Sequence, residues 1–441
     1  MLKFVNMQAK PVKIFASGDA PRLRFVADLL LNEILGLSWE IVTDKRKLGK
    51  SPVINYSEEK LPGSFRINPV ALLFDTGVRS QQIIMSDWKG LPVFFQSPPD
   101  ADLPFDIFAA TFYLVARYEE YFEFQPDEFG RFRSSDSLAF RNGFLNIPVV
   151  DLWAKEFAKS LVKKFQALTF KRNEYSAILT FDIDEPFAYL GKGMIGNIGG
   201  FIHDIASKSR NASKRLGCLA RGERDPYEVF DYLTGSCDPI KLETRFFFPV
   251  GNHSGYDKNP SWKNSDYRAL INRIAEKYKT GLHPSFKAST DIKVFNTEHQ
   301  RLKVIQGKDC ILSRFHFLKI AMPVSYRNIN NAGIREDYSM GYPDEPGFRA
   351  GLARPFRFYN VAEEKMTDLR IFPFEVMDVT LAGYKKMNAG TAKEVISNLI
   401  MQTRKAGGLF ISIWHNTSLL DTPECREWRE VFEFTLKEQV P

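Results

Sequence analysis

The stretch that decides the fold is "AILTFDIDEP", residues 177–186. Its apolar part, residues 178–181, suits a buried strand and runs directly into Asp182 and Asp184, and Pro186 then ends the pattern. Because side chains alternate along a strand, two acids separated by one residue point to the same side. A pair of carboxylates at the carboxyl end of a buried strand predicts a functional site at that edge of a sheet.

Composition sets the class of protein. The chain has 441 residues, enough for about two or three domains, and a net charge of +7. This mild excess of positive charge gives no support for nucleic-acid binding. The four cysteines do not have the spacing of a zinc knuckle or of a redox motif. So few cysteines in a chain of this length fit a reducing compartment. No signal peptide and no long apolar run is evident, so we expect a cytoplasmic protein without a membrane span and leave its oligomeric state open.

Two regions with different patterns divide the chain. Residues 1–170 predict a smaller α/β domain, in which a helix across residues 106–124 has Asp106 as its N-cap. The polar segment "KRNEYS", residues 171–176, marks the expected boundary. Strands and helices alternate through residues 171–441, which predicts a parallel sheet, either open or closed into a barrel.

Polar residues end several strands of the second region. These residues are Asp182 and Asp184, Asn252 and His253, Arg314 and His316, and His415 and Asn416, with His283 following a helix. In a parallel barrel the carboxyl ends of the strands meet on one face. Asp184 and His283 could hold a divalent ion that lowers the pKa of bound water to about 7. Asp182 could then accept a proton and His415 donate one to the leaving group of an amide or ester.

Three of these stretches also carry a family resemblance. "LTFDIDEP" resembles the first motif of the polysaccharide deacetylases, the NodB-homology group of carbohydrate esterases. "GLHPSF" resembles the second motif of that group and "FISIWHN" the last. The resemblance implies Asp182 as catalytic base, Asp184 and His283 as ligands of a divalent metal, zinc by preference, and His415 as acid. It also implies a distorted (β/α)7 barrel and an acetylated sugar or polysaccharide precursor as substrate.

Further stretches resemble one bacterial subgroup of that family. "DYSMGYPDEPGFRAGLARPFRFYN", residues 337–360, and "LPFDIFAATFYLVARYEEY", residues 103–121, are similar to members with an extra N-terminal domain of unknown function. The third motif of the family supplies an Arg-Pro pair that orients the base. Arg354, which precedes Pro355, and Arg349 both compete for that role.

The second motif departs from the family pattern, because position 287 is Lys where a second His is expected. Strand alternation in "CILSRFHFLK" puts Arg314 and His316 on one face, so His316 could be the third metal ligand and Arg314 could hold Asp182. His316 could equally bind substrate or pack inside the barrel. A lysine has no lone pair to offer, and Lys287 could instead take the place of the cation and leave the barrel metal-free.

Two other functions fit parts of the pattern. A non-catalytic relative could keep the barrel to bind a sugar or a protein, with Lys287 as the main reason to consider it. A phosphotransfer enzyme of the haloacid-dehalogenase type also begins with Asp-x-Asp after an apolar strand, but it needs a pair of acids at a later strand end, where "FEVMDVT" has a single Asp. The Gly-rich, basic insertion at residues 191–217 predicts either a lid over the site or a surface excursion.

Overall fold

The computed structural model describes residues 10–191, 211–240 and 242–441. Most of the Gly-rich insertion lies outside the described residues. The alternatives of a lid and a surface excursion therefore both stay predictions. The chain forms a four-stranded sheet, a nine-stranded sheet and a two-stranded hairpin. The prediction of a mixed α/β fold is confirmed. A helix with the length and apolar character needed to span a membrane does not occur among these residues.

The N-terminal part contains the smaller sheet. Its strands and those of the hairpin are β1 (Val12–Ala16), β2 (Trp39–Val42), β3 (Val53–Tyr56), β4 (Phe65–Arg66), β5 (Ser86–Trp88) and β6 (Leu91–Val93). The four-stranded sheet has the order β2-β1-β3-β4 and is parallel throughout. Asp106 caps the helix Ile107–Val115 through the backbone N–H of Ala109, as the sequence predicts. That helix ends earlier than expected, and a 3-10 helix, Tyr118–Tyr121, follows it.

The C-terminal part is built on the nine-stranded sheet. Its strands are β7 (Ser176–Asp182), β8 (Glu243–Phe248), β9 (Lys279–Leu282), β10 (Leu312–Ser313), β11 (Glu336–Asp337), β12 (Phe356–Asn360), β13 (Lys365–Ile371), β14 (Val376–Met377) and β15 (Leu409–His415). The order is β12-β13-β11-β10-β9-β8-β7-β15-β14, and only the β12–β13 pair is antiparallel. A nearly all-parallel sheet places the carboxyl ends of its strands along one edge.

Helices cover the sheets and connect the strands. Among the described residues the α-helices are Pro21–Ala27, Ile107–Val115, Leu138–Arg141, Val149–Lys164, Asn211–Arg221, Phe230–Cys237, Ser265–Ala275, Ile292–Gln306, Val324–Asn331, Ala389–Ala406 and Arg426–Glu438. In the C-terminal part, helices such as Ser265–Ala275 and Ile292–Gln306 lie between consecutive parallel strands, as crossover connections require.

The large sheet is curved. Phe374 N–H donates to the carbonyl of Met340 at 3.1 Å, and the next residue, Glu375, donates to the carbonyl of Ile411 in β15, also at 3.1 Å. These two bonds connect the chain that follows β11 with a strand near the opposite edge of the sheet. In the described part of the chain no strand ladder joins β12 to β14. The closed (β/α)7 barrel therefore stays a prediction.

The two parts of the chain share buried contacts. Arg349 donates from Nη2 and Nε to Glu120 at 2.7 and 2.9 Å, and both residues and the neighbouring Arg117 are buried. Arg117 also donates to Glu119 and Glu120 and to the carbonyl of Arg349. One continuous apolar core includes residues from both parts. The domain division at residue 170 stays a prediction, and these contacts indicate that each part buries surface of the other.

Candidate metal centre and active site

The structure brings the carboxyl ends of four strands together around one group of side chains. Asp182 is the last residue of β7 and lies in register with His415, the last residue of β15. His283 directly follows β9, and Arg314 directly follows β10. Because these strands are parallel, their ends project these side chains toward the same edge of the sheet.

Asp184 lies at the centre of this group. Its Oδ1 is 3.1 Å from Nε2 of His283, and its Oδ2 is 3.5 Å from Nε2 of His316. Nε2 of His415 is 3.7 Å from the same Oδ2. The ligand atoms of Asp184, His283 and His316 all lie within 4.8 Å of one another. One carboxylate and two imidazoles form a common ligand set for a catalytic divalent ion.

The unpaired atoms at the centre fit a cation. Nδ1 of His283 donates to the carbonyl of Arg314 at 2.6 Å, which leaves the lone pair on its Nε2. That Nε2 and Oδ1 of Asp184 are buried, and neither has a hydrogen-bond partner among the residues that the structure covers. Buried polar atoms are rarely left without partners. Nε2 of His283 and Oδ1 of Asp184 are therefore two acceptors that face each other without a hydrogen between them. A divalent ion would bind both, so the residues present fit a metal.

His316 is held by a carboxylate on its far side. Its Nδ1 is 2.9 Å from Oδ1 of Asp257, which also accepts from the backbone N–H of Phe286 at 3.0 Å. The Ser254 hydroxyl donates to the other oxygen of Asp257 at 2.7 Å. Burial lowers the pKa of His316, but the charges of Asp184 and Asp257 outweigh it and raise that pKa to about 9. Metal-binding histidines commonly have such a carboxylate partner, which fixes the ring orientation.

The charge interaction between Asp184 and His316 also shifts the pKa of Asp184. Burial alone would raise the pKa of this carboxyl. The positive charge of His316, together with that of His415, outweighs burial and holds the pKa of Asp184 well below its usual range. The carboxylate is therefore ionised, as a metal ligand must be.

Arg314 holds Asp182. Its Nη1 donates to Oδ1 of Asp182 at 2.8 Å, and its Nε donates to the carbonyl of Tyr338 at 2.9 Å. The guanidinium carbon lies 4.5 Å from the ring centroid of Phe247, and the whole side chain is buried. Oδ2 of Asp182 is 4.0 Å from Nε2 of His283. The arginine thus fixes one carboxylate oxygen and leaves the other directed toward the Asp184 group.

Asp378 holds His415. Its Oδ1 is 2.7 Å from Nδ1 of His415, and its Oδ2 accepts from the backbone N–H of the same residue at 2.7 Å. Burial lowers the pKa of His415, but the charge of Asp378 and its hydrogen bond outweigh burial and raise that pKa to about 10. Asp378 directly follows β14. In the sequence Asp378 belongs to the incomplete phosphotransfer motif "FEVMDVT", and its place after a short apolar strand is a signal for a site residue.

The two arginines predicted to orient the base lie elsewhere, so the structure does not bring Arg349 and Arg354 into the site. Arg349 binds Glu120 and the carbonyl of Gly341, and Arg354 binds Asp151. Both arginines are engaged by buried carboxylates from the N-terminal part, which the sequence motif could not reveal. Arg314 occupies the position beside Asp182 instead.

Two further expectations need correction. Lys287 does not take the place of the cation, because its side chain is 75% exposed and 3.8 Å from Asp291. The expected strand across "CILSRFHFL" is only Leu312–Ser313, and His316 begins a 3-10 helix, His316–Leu318. His316 therefore reaches Asp184 from a tight turn and not by strand alternation. His253, at the end of another predicted site strand, is exposed and is not among the residues around Asp184.

Comparison with known proteins gives a family match in the N-terminal part and structural similarity over about 60% of the chain. The profile of a family of unknown function, DUF7033, matches residues 12–166. No curated protein matches the sequence significantly.

The similar solved structures include a protein classed as a polysaccharide deacetylase from Mycobacterium smegmatis, with 14% identity, a TM-score of 0.39, and coverage of 60% of this chain and 85% of that chain. A polysaccharide deacetylase from Bacillus cereus has 12% identity and a TM-score of 0.30, with coverage of 60% and 87%. A CE4-family pseudoenzyme from Bacillus anthracis has 7% identity and a TM-score of 0.28, with coverage of 61% and 62%. Because the sequence identities are this low, function is inferred from the residues of the site.

Replacing His316 with Ala is expected to abolish stoichiometric zinc binding, because only Asp184 and His283 would remain from the three-residue group. Asp257→Asn should have the smaller effect of about 10–100-fold in metal affinity, since that residue only supports His316. Metal content after zinc loading and dialysis, measured by mass spectrometry, checks both. Lys287→Ala is the matched control and should bind zinc like the unmodified chain. Full zinc occupancy in His316→Ala would exclude this residue as a required ligand.

Proposed function

We propose that this protein is a metal-dependent hydrolase that removes acetyl groups from an N- or O-acetylated carbohydrate. One observation carries the proposal. The Asp184–His283–His316 group, which fits a divalent ion, is flanked on one side by Asp182 held by Arg314 and on the other by His415 held by Asp378. A metal group between an oriented carboxylate and an oriented imidazole has the parts that acyl hydrolysis requires.

Each side chain has a separate task in this proposal. Zinc or a similar ion, held by the three-residue group, would supply Lewis-acid chemistry at the acyl carbonyl and the attacking water. Asp182 accepts the proton of that water, and Arg314 keeps its carboxylate oriented. His415 donates a proton to the leaving nitrogen or oxygen. Asp378 binds Nδ1 of His415 and so keeps Nε2 of that imidazole directed into the site.

The substrate class comes from the sequence resemblance and from the chemistry of the group. The motifs around Asp182, His283 and His415 are similar to those of polysaccharide deacetylases, which supports an acetylated sugar or a polysaccharide precursor. The site contains the parts for amide or ester cleavage equally, so both bonds belong to the proposal. The cytoplasmic location and the lack of a nucleic-acid partner stay predictions.

Acetate release tests the proposal directly. The zinc-loaded protein is incubated with N-acetylated and with O-acetylated oligosaccharides, and free acetate is quantified before and after chelation. We expect metal-dependent acetate release from at least one of the two classes. A protein that binds zinc fully and releases no acetate from either would be a non-catalytic relative. Phosphate release from phosphorylated sugars, measured alongside, would instead support the phosphotransfer alternative.

The imidazole of His415 should matter most for poor leaving groups. His415→Ala is expected to slow cleavage of an acetamide far more than cleavage of an activated aryl acetate, whose leaving group needs no proton. Asp378→Asn should show the same pattern with a smaller loss, because it keeps the ring but weakens its orientation. The ratio of kcat/KM for the two substrates measures this effect. An equal loss on both substrates would contradict the role of His415 as proton donor.

A further inference from the structure

The cavity at the proposed catalytic residues is small. Its volume is about 190 Å³, below the range of about 300–1,000 Å³ usual for small-molecule pockets. Asp182, Asp184 and His415 line it, together with Arg131 and Phe317. This space suits the acetylated part of a sugar. The remaining rings of a longer glycan would have to lie outside, across the rim.

Arg131, from the N-terminal part of the chain, builds that rim. Its Nη1 donates to the carbonyl of Phe317 at 2.7 Å, its Nη2 to the hydroxyl of Tyr384 at 3.0 Å, and its Nε to Asp127 at 2.7 Å. Phe317 and Tyr384 both line the cavity. Phe317 has φ = 58°, a conformation that non-glycine residues seldom adopt and that surrounding contacts must maintain. The N-terminal part therefore fixes the shape of the cavity entrance.

An aromatic cluster lies beside the same entrance and consists of Phe129, Tyr256, Phe286 and Phe317. The ring centroids of Phe129 and Phe317 are 5.0 Å apart, and Tyr256 stacks on Phe286 at 4.1 Å. Phe317 contacts both Tyr256 and Phe286 at 5.7 Å. Tyr256 is 46% exposed, and within the described ranges none of the four rings belongs to a hydrophobic core of the protein.

Tyr256 is exposed and Phe129, Phe286 and Phe317 are half-buried. Partly exposed rings outside the core that continue into a cavity are typical of a ligand-binding surface. Phe317 belongs to both the cluster and the cavity, so a molecule whose reacting group lies near Asp184 would extend over these rings. A pyranose ring has apolar faces of C–H groups that pack on aromatic faces, while its hydroxyls remain at the edge for polar partners.

We propose that Phe129, with Tyr256, Phe286 and Phe317, forms a second sugar-binding subsite for a glycan unit next to the acetylated one. The segment Asp127–Arg131 thereby makes the N-terminal part a specificity element that favours oligosaccharides over monosaccharides. This inference rests on the proposed function, because the substrate of the cavity defines what lies on the rings.

The test compares an acetylated tetrasaccharide with the matching monosaccharide. Calorimetry gives the Kd of each for the zinc-loaded protein, and acetate release gives the KM. The unmodified chain should prefer the tetrasaccharide, and Phe129→Ala should reduce that preference by about 2–10-fold, the range expected for one lost aromatic contact. Phe129→Tyr, which keeps the ring, should retain the preference. Phe140→Ala removes another partly exposed Phe of the N-terminal part and should also retain it.

The result that overturns the inference is an unmodified chain without preference for the tetrasaccharide, or a preference that Phe129→Ala leaves intact. Failure of the proposed function gives a different result. A protein that releases no acetate but binds the tetrasaccharide through Phe129 would lose only its assignment as a hydrolase, because the calorimetric comparison does not depend on turnover.

Discussion

Asp182→Asn is expected to reduce the kcat for acetate release by about 10²–10⁴-fold, the usual cost of losing a general base. Asparagine keeps a carbonyl oxygen that can still accept from Arg314, so the side chain should stay in place while losing its basicity. Zinc binding should remain nearly stoichiometric, because Asp182 is not part of the three-residue ligand group. Kinetics on the zinc-loaded variant and its metal content measure the two effects separately.

The neighbouring acid provides the contrast. Asp184→Asn should lose the metal, since both of its carboxylate oxygens face histidine nitrogens, at 3.1 and 3.5 Å. Turnover in this variant should fall together with its zinc content and recover in part at high zinc concentration. Equal loss of zinc in the two variants would mean that the assignment of one acid as base and the other as ligand is wrong.

The part of the site that sequence could predict is the part set by local periodicity. Asp182 and His415 end strands with clear apolar patterns, and the structure pairs these two residues in register. His283 also directly follows a parallel strand. Once strands and helices alternate, parallel strands bring their carboxyl ends to one edge, so proximity of these residues follows without knowledge of the remaining contacts.

The rest of the site depends on contacts that no local pattern contains. His316 lies in a tight turn that the sequence pattern predicts as strand, and Asp257 supports it from a loop that gave no signal. Asp378 acts only through its pairing with His415, 37 residues away. In each case the partner is fixed by tertiary packing. Such side-chain pairs determine orientation, whereas residue type and spacing determine only which groups are available.

The arginines show the limit most clearly. Arg314 lies beside Asp182, as strand alternation suggested, whereas Arg349 and Arg354, which matched a motif, lie elsewhere. Arg349 is separated from Glu120 by 229 residues in sequence, yet the two form a buried bidentate pair. Its structural placement makes it a stabilising residue between the two parts of the chain. The motif instead makes it a catalytic one, and the two interpretations predict opposite outcomes for the same substitution.

Arg349→Met is expected to lower the free energy of unfolding by up to about 3–5 kcal/mol, because it removes two hydrogen bonds from the buried carboxylate of Glu120 and leaves Arg117 as its partner. Urea unfolding measures the loss. The double variant Arg349→Met with Glu120→Gln should recover part of it, since the side chain at position 120 is then neutral and Arg117 keeps Glu119 as its partner. Arg273→Met is the matched control, because its pair with Asp231 is half-exposed and should contribute at most about 1 kcal/mol.

Kinetics on the folded fraction separate the two interpretations of Arg349. If the residue only stabilises, the Arg349→Met protein should keep the kcat of the unmodified chain at a temperature where it is fully folded, because Arg314 and not Arg349 contacts Asp182. A folded Arg349→Met protein with normal unfolding free energy and strongly reduced kcat would instead restore its predicted role at the base. The free energy of unfolding and the kcat are measured on the same sample. A loss of stability with normal kcat supports the stabilising role, and normal stability with reduced kcat supports the catalytic role.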